Sequence, residues 1–168
     1  GHIVFSTLHT NDAVGAIPRL LDLGIQTNIL GPSLSLVIGQ RLVRKLCPDC
    51  KIKKEIDGKT AEKIKKFVSG LPSRVDKSGY SEFDIYEAKG CDKCGRLGYK
   101  GRTSIFELLQ ADEAIETAIY KNPTEIELKE LAKKQGMVTM QEDGVLKILK
   151  GITSLEEVER LTGPIIWE

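Results

Sequence analysis

Two cysteine pairs, Cys47 with Cys50 and Cys91 with Cys94, are the residues whose type and spacing point most directly to a chemistry. Each is a Cys-x-x-Cys. Two thiolates three residues apart on a tight turn grip one side of a tetrahedral ion, and two such turns complete a four-sulfur zinc site. Pro48 stiffens the first turn, and Gly95, directly after Cys94, lets the second fold back with positive φ. The 40 residues from 51 to 90 separate the pairs, against a familiar zinc spacing of about 15 to 20, so an insertion sits inside the metal loop. Closing that loop costs on the order of 3 kcal/mol, and structural zinc binding offsets it with an apparent ~10 to 16 kcal/mol. The expectation is one structural zinc, held by four cysteines and no histidine. The competing readings are two disulfides, a redox pair, or four unrelated buried thiols. Disulfides suit a secreted chain, and no signal-peptide pattern opens this sequence. A thioredoxin-type site expects one Cys-x-x-Cys at a strand end in a βαβ unit. Chance burial seldom delivers two matched pairs.

The histidines form a second, separate candidate. An apolar run from His2 to Leu8 reads as a buried strand, and it leads into the polar turn His9-Thr10-Asn11-Asp12. A helix follows with Val14, Ile17, Leu20 and Leu21 on one face, capped by Thr10, Asn11 or Asp12 and stopped at Gly24. Pro18 predicts a kink within it. Strand, polar turn, helix is where αβ proteins place ligands. From the residues alone, His9 is either a hydrogen-bonded turn histidine or a donor to an anion. The glycines Gly95, Gly98 and Gly101 do not make a phosphate-binding loop. Five residues separate Gly95 from Gly101, and Arg102 stands where that loop requires lysine.

The elements that must position these residues follow from periodicity. A helix-like stretch from 26 to 39 is expected to continue past Pro32 and Ser33 through Leu34, Val37 and Ile38, and residues 40 to 46 alternate as a strand that delivers Cys47. Within the insertion, Thr60 caps an amphipathic helix with Ile64, Phe67, Val68 and Leu71 inward, and residues 83 to 88 form a strand. A strand from Thr103 to Leu109 carries Glu107, which needs a partner if buried, with Arg102 or Arg41 as candidates. Helices begin at Asp112, at Thr124 with a capping box to Glu127, at Gln141, and at Ser154 with a box to Glu157. The terminal helices are expected to form a small domain of their own, which keeps its structure if Cys91 is replaced.

The 168 residues, 40% hydrophobic, allow one sizeable core or two small ones. A net charge of +1 with 5% aromatics lacks the basic stripe and interleaved rings of a nucleic-acid module. The longest apolar stretch, residues 29 to 39, is broken by Gly31, Pro32, Ser33 and Ser35 and falls short of the ~20 residues of a membrane span. The sequence opens on Gly1 rather than methionine, directly before a strand that needs neighbours, and the expectation is a piece of a longer protein.

In order, these segments resemble the secretion ATPase superfamily, specifically the type II secretion and type IV pilus assembly ATPases. The segment from Gly1 to Ala13 is similar to the family's histidine box, and Ala16 to Gly24 to the helix after it. Residues 40 to 47 are similar to the entry into the tetracysteine motif, with 98 to 103 and 105 to 109 as its exit. Met140 to Gly144, Gly151 and Glu156 to Val158 are similar to its terminal helical segment. The resemblance implies an α/β fold: the C-terminal portion of a RecA-like P-loop ATPase core (1–46), a tetracysteine zinc segment with its insertion (47–101), and a core strand followed by a small helical domain (102–168). It implies structural zinc on Cys47, Cys50, Cys91 and Cys94. His9 becomes the contact to the terminal phosphate of ATP, and His2 a second catalytic candidate or a packing residue. The intact parent would be a magnesium-dependent homo-hexamer, cytoplasmic and peripheral to the inner membrane, that hydrolyses ATP to drive an inner-membrane platform protein, with no nucleic-acid partner and no transmembrane segment. The family's Walker motifs have no counterpart in this sequence, so this chain alone is expected to be inactive. The alternative is a non-catalytic, zinc-stabilised protein-interaction module.

Overall fold

The computed structural model describes residues 2–165 and 167. Its first elements are α1 (Ala16–Asp22), α2 (Thr27–Ser33), β1 (Leu36–Leu46), β2 (Ile52–Lys54), α3 (Gly58–Gly70) and β3 (Ile85–Glu87). There follow β4 (Tyr99–Gln110), α4 (Glu113–Tyr120), α5 (Glu125–Lys134), α6 (Met140–Leu149) and α7 (Leu155–Thr162). The chain is therefore a mixed α/β protein, and it divides into two compact units. One comprises residues up to 39 together with 107–137, the other 40–106 and 138 onward. Strands β1 and β4 pair and contribute residues to both. They are antiparallel, since Cys47 N–H donates to the Gly98 carbonyl at 2.9 Å near one end and Ala111 N–H to the Ser35 carbonyl at 3.0 Å near the other.

In the first unit, α1, α2, α4 and α5 close over Ile17, Leu109, Ile115, Ile119 and Leu128, all fully buried. Asp12 Oδ1 accepts from Gly15 N–H at 2.7 Å, so the chain turns before α1 rather than within it. The helix consequently starts late. Pro18 falls in its first turn, where no intrahelical bond is lost, and the kink expected from it is absent. Gly24, at φ +86°, ends the turn as the pattern required. Helix α2 stops at Ser33, correcting the expected continuation to Ile38: Leu34 is already extended, and Val37 and Ile38 lie in β1. From Leu36 to Gly39 burial alternates with the period of a strand, which suits β-branched side chains. Asp112 caps α4 by accepting from Ile115 N–H at 3.0 Å, and the Thr124–Glu127 box closes on α5 in both directions.

The run from His2 to Leu8 is not a strand. Ile3, Val4 and Phe5 are 86%, 81% and 92% exposed. A strand needs a neighbour for its backbone donors and acceptors, and among the described residues no strand pairs with this segment.

The second unit carries two apolar clusters. In the larger, Ile64 and Val68 of α3 meet Ile85 of β3, Val145, Ile148 and Leu149 of α6, and Val158 of α7. The smaller joins Val43, Ile105 and Met140. The inward face of α3 is the one its periodicity predicts, but its cap is Asp57, which accepts from Thr60 N–H at 2.8 Å, rather than Thr60 itself. Strand β3 pairs antiparallel with β2, Lys54 opposite Ile85. Helices α6 and α7 approach closely because Gly144 has no side chain: a Cβ there would lie 2.6 Å from Val158 Cγ1. These helices share their core with α3, an element inside the metal loop. Loosening the loop would therefore expose part of the surface that buries α6 and α7.

Candidate metal centre

Strand β1 ends at Leu46 and hands the chain to a turn in which Lys51 N–H donates to the Cys47 carbonyl at 3.0 Å, placing Cys47 and Cys50 on one side. The second pair is carried by a single 3-10 turn, residues 92–94, closed by Gly95 and Arg96 in the left-handed region at φ 59° and 62°. Two further glycines make this turn possible. A Cβ on Gly90 would stand 2.5 Å from the Arg96 carbonyl oxygen, and one on Gly98 2.6 Å from Ala88 Cβ, both at positive φ.

The four sulfurs converge, all within 4.8 Å of one another. Cys50 Sγ and Cys91 Sγ each lie 3.8 Å from Cys94 Sγ. This is too far for a disulfide, and all four thiols are free. It matches the edge of a tetrahedron of sulfurs about 2.3 Å from a central ion, roughly 3.8 Å. Cys94 Sγ also accepts from the backbone N–H groups of Cys91 and Gly98, both at 3.2 Å. Such donors stabilise a thiolate: the N–H of Cys91, followed by that of Gly98, outweighs burial and brings Cys94 down to about 6. Burial dominates at Cys50 and pushes it up to about 12. Cys47 and Cys94 are buried, whereas Cys50 and Cys91 are half-exposed. Four cysteines so placed can hold a metal ion, consistent with zinc.

Charges that local spacing does not announce join parts of the second unit. Lys93 Nζ lies 2.6 Å from Asp49 Oδ1, linking the middle of one cysteine turn to the middle of the other. Beneath β1, Arg44 donates to Glu157 three times: N–H to Oε1 at 2.9 Å, Nε to Oε2 at 2.9 Å and Nη2 to Oε2 at 2.6 Å. Arg160 adds two bonds, Nε to Oε2 at 3.0 Å and Nη2 to Oε1 at 2.9 Å. Burial raises the Glu157 carboxyl, but the donors of Arg160 and Arg44 together prevail and hold it down at about 2. Ser154 Oγ accepts from Glu157 N–H at 3.3 Å, so the expected capping box is half formed, its acid being committed to the arginines. The Arg44 guanidinium also lies over the Tyr99 ring, 4.2 Å from its centroid, and Tyr99 Oη is 2.7 Å from Ser154 Oγ. The signal for Glu157 was its spacing to Arg160; nothing local announces Arg44.

His2 and His9 are exposed and lie in a segment without regular structure. His9 therefore does not stand at a strand end, as the sequence suggested. The turn after it is ordered: Thr10 Oγ1 donates to the Asp12 carbonyl at 2.9 Å, and Lys129 Nζ lies 3.5 Å from Asp12 Oδ2. Glu107 is buried, and it accepts from Ala13 N–H.

A mixed α/β chain with a four-cysteine cluster able to hold a metal ion in its second unit is the class that fold and site define. Residues 1–160 match the family described as type II/IV secretion system protein. The chain belongs to that family. It is 42% identical over 163 residues to the type IV pilus assembly ATPase PilB of Thermus thermophilus, covering 94% of this chain and 17% of that protein. To the type II secretion system ATPase E of Vibrio cholerae it is 44% identical over 162 residues, 96% of this chain and 30% of the relative. PilB of Pseudomonas aeruginosa is 42% identical over 162 residues, 96% of this chain and 27% of that protein. The chain spans less than a third of the length of these relatives. Among the described residues, no helix is long and apolar enough to cross a membrane.

Proposed function

We propose that this chain is the C-terminal portion of a hexameric, cytoplasmic ATPase with a RecA-like core that powers type IV pilus assembly or type II secretion. In this reading the enzyme works peripheral to the inner membrane, on an inner-membrane platform protein. The observation that carries the proposal is sustained identity of about two residues in five, along nearly the whole chain, with proteins named for both machines. Cys47, Cys50, Cys91 and Cys94 would hold zinc, which when bound supplies a structural cross-link between the two turns. ATP and magnesium belong to the longer parent, whose upstream residues would provide the phosphate-binding loop. His9 then donates to the terminal phosphate as charge redistributes in phosphoryl transfer, with His2 as the second candidate.

The test is His9→Ala in the longer protein. Turnover should fall about 10- to 1000-fold, the range for losing one well-placed donor to developing charge, while zinc content and thermal midpoint hold. If stability or metal is lost instead and turnover per folded hexamer is unchanged, His9 is structural. The second reading, a non-catalytic interaction module, is favoured by one observation: the four cysteines and the Asp49–Lys93 ion pair that joins their turns all lie within this chain. A longer protein that fails to hydrolyse ATP would select that reading.

A further inference from the structure

The polar turn after His9 is held from a distant strand. Glu107 of β4 is only 4% exposed, and its Oε1 accepts the backbone N–H of Ala13, itself buried. The neighbouring strand leaves room for this. A Cβ on Gly39 of β1 would lie 2.7 Å from Glu107 Cγ and 2.8 Å from Oε1. A carboxylate in such a place is costly unless it is hydrogen-bonded, and a leucine would pack the site without that requirement. One of its contacts is directed at the end of the histidine turn. From Ala13 the order runs backwards and forwards through the Asp12 side chain to Gly15 N–H at 2.7 Å and through the Asp12 carbonyl to Thr10 Oγ1 at 2.9 Å.

We infer that Glu107 is a positioning residue for the His9–Ala13 turn: seated against Gly39, it fixes the Ala13 N–H and so sets where His9 leaves the body of the first unit to face an anionic substrate group. The second half of this inference rests on the proposed phosphate contact of His9. The first half does not.

The experiment separates them. In this chain, loaded with zinc, Glu107→Ala should speed amide exchange at Ala13 by about tenfold, the equivalent of one lost hydrogen bond of ordinary strength, and shift the Ala13 amide resonance, with α4 and α5 amides unchanged. Gly39→Ala alone should do the same by displacing the carboxylate. The double variant should be no worse than Glu107→Ala, because the added methyl enters vacated space. In the longer protein, Glu107→Ala should lower kcat for ATP hydrolysis and leave KM for ATP within about twofold, since an orientation acting on the transferring phosphoryl group affects turnover more than ground-state binding. Unchanged exchange at Ala13, or equal loss of protection across α4 and α5, would overturn the inference by reducing Glu107 to a core residue. A shifted Ala13 with undiminished kcat would overturn its role toward substrate. If His9→Ala also leaves turnover intact, the phosphate reading fails, while the exchange result still decides whether Glu107 holds the turn.

Discussion

The two units are stabilised by different physics. In the first, the buried surface is aliphatic apart from Glu107, and other polar groups are used at helix ends, where Asp112 and the Thr124–Glu127 pair close the caps. The second carries two separate apolar clusters, and with them four thiols and a carboxylate gripped by two guanidiniums. An aliphatic core responds weakly to pH and chelators. A fold closed by thiolates and a buried anion responds to both. The second unit should therefore be conditional on metal in a way the first is not.

Removing the metal is the strongest way to break this comparison. Cys94→Ser, or chelation of the zinc-loaded chain, should lose an interaction whose apparent worth is roughly 10 to 16 kcal/mol, more than a unit of this size retains as net stability. Hydrogen exchange read by mass spectrometry should show α3, α6 and α7 losing protection together, because they share one core, while α4 and α5 keep theirs. Protection of α6 and α7 that survives metal loss would mean the apolar cluster alone holds them, and the contrast between the units would disappear.

The next effect belongs to Glu157. Its carboxyl sits at about 2 in the folded protein against an ordinary 4.5, so the stability it contributes is fully present above pH ~4.5 and is lost as pH falls towards 2. Glu157→Gln should cost about 2 to 3 kcal/mol near neutral pH, below the ~3 to 5 kcal/mol typical for breaking a buried pair because both arginines are half in water. Denaturant unfolding at a series of pH values checks it: the gap between the two proteins should close on acidification. A gap that stays constant to pH 2.5 would show that shape, not charge, accounts for the loss.

How much of this was legible in the sequence depended on distance along the chain. Features set by residues within a few positions were readable. The cysteine turns, the inward face of α3, the caps at Asp112 and Thr124 and the stop at Gly24 all follow from local spacing. Features set by long-range partners were not. Residues 2–8 have the composition of a strand, but a strand exists only where another pairs with it. Glu157 reads locally as a capping-box acid, and one of its two arginine partners lies 113 residues earlier at Arg44. Glu107 was recognised as needing a partner, yet no local rule points to the N–H of Ala13. The capping signals of the terminal helices are local, whereas the surface that α6 and α7 bury against α3 has no signature in their own sequence beyond an apolar face.

A smaller test sharpens the comparison inside the second unit. Gly144→Ala places a methyl 2.6 Å from Val158 Cγ1, and overpacking of this kind costs about 1 to 3 kcal/mol, offset in part by the better helix propensity of alanine. The midpoint of denaturant unfolding for the second unit should fall. Val158→Ala in the same protein should recover part of the loss, since it removes the opposing methyl groups. An unchanged midpoint in Gly144→Ala would show that α6 and α7 can separate freely, and that metal and ion pair matter more to this unit than helix packing does.

The smallest expected effect concerns the Asp49–Lys93 ion pair, and it distinguishes a metal site that is merely assembled from one that is clasped. The pair joins the two cysteine turns at 2.6 Å, but Lys93 is largely solvated, so its contribution to folding is expected to be slight. Its contribution to metal retention is different in kind. A four-thiolate site carries excess negative charge around a divalent ion, and the Asp49 carboxylate, whose Oδ2 is 3.9 Å from Cys47 Sγ, adds to it. The Lys93 ammonium offsets that charge and ties down the half-exposed edge of the site, where Cys91 lies two residues away. Lys93→Ala should speed zinc transfer to a chelator by up to about tenfold, the low end for outer-shell partners, with the thermal midpoint of the loaded protein unchanged. Asp49→Asn removes attraction to Lys93 and repulsion from Cys47 together, so it should change the rate less. High salt should shrink the Lys93 effect, because exposed charges are screened within about 10 Å at 0.1 M. If Lys93→Ala releases zinc at the original rate at low salt, the ion pair is incidental, and the retention of metal lies wholly in the turns and the N–H donors to Cys94.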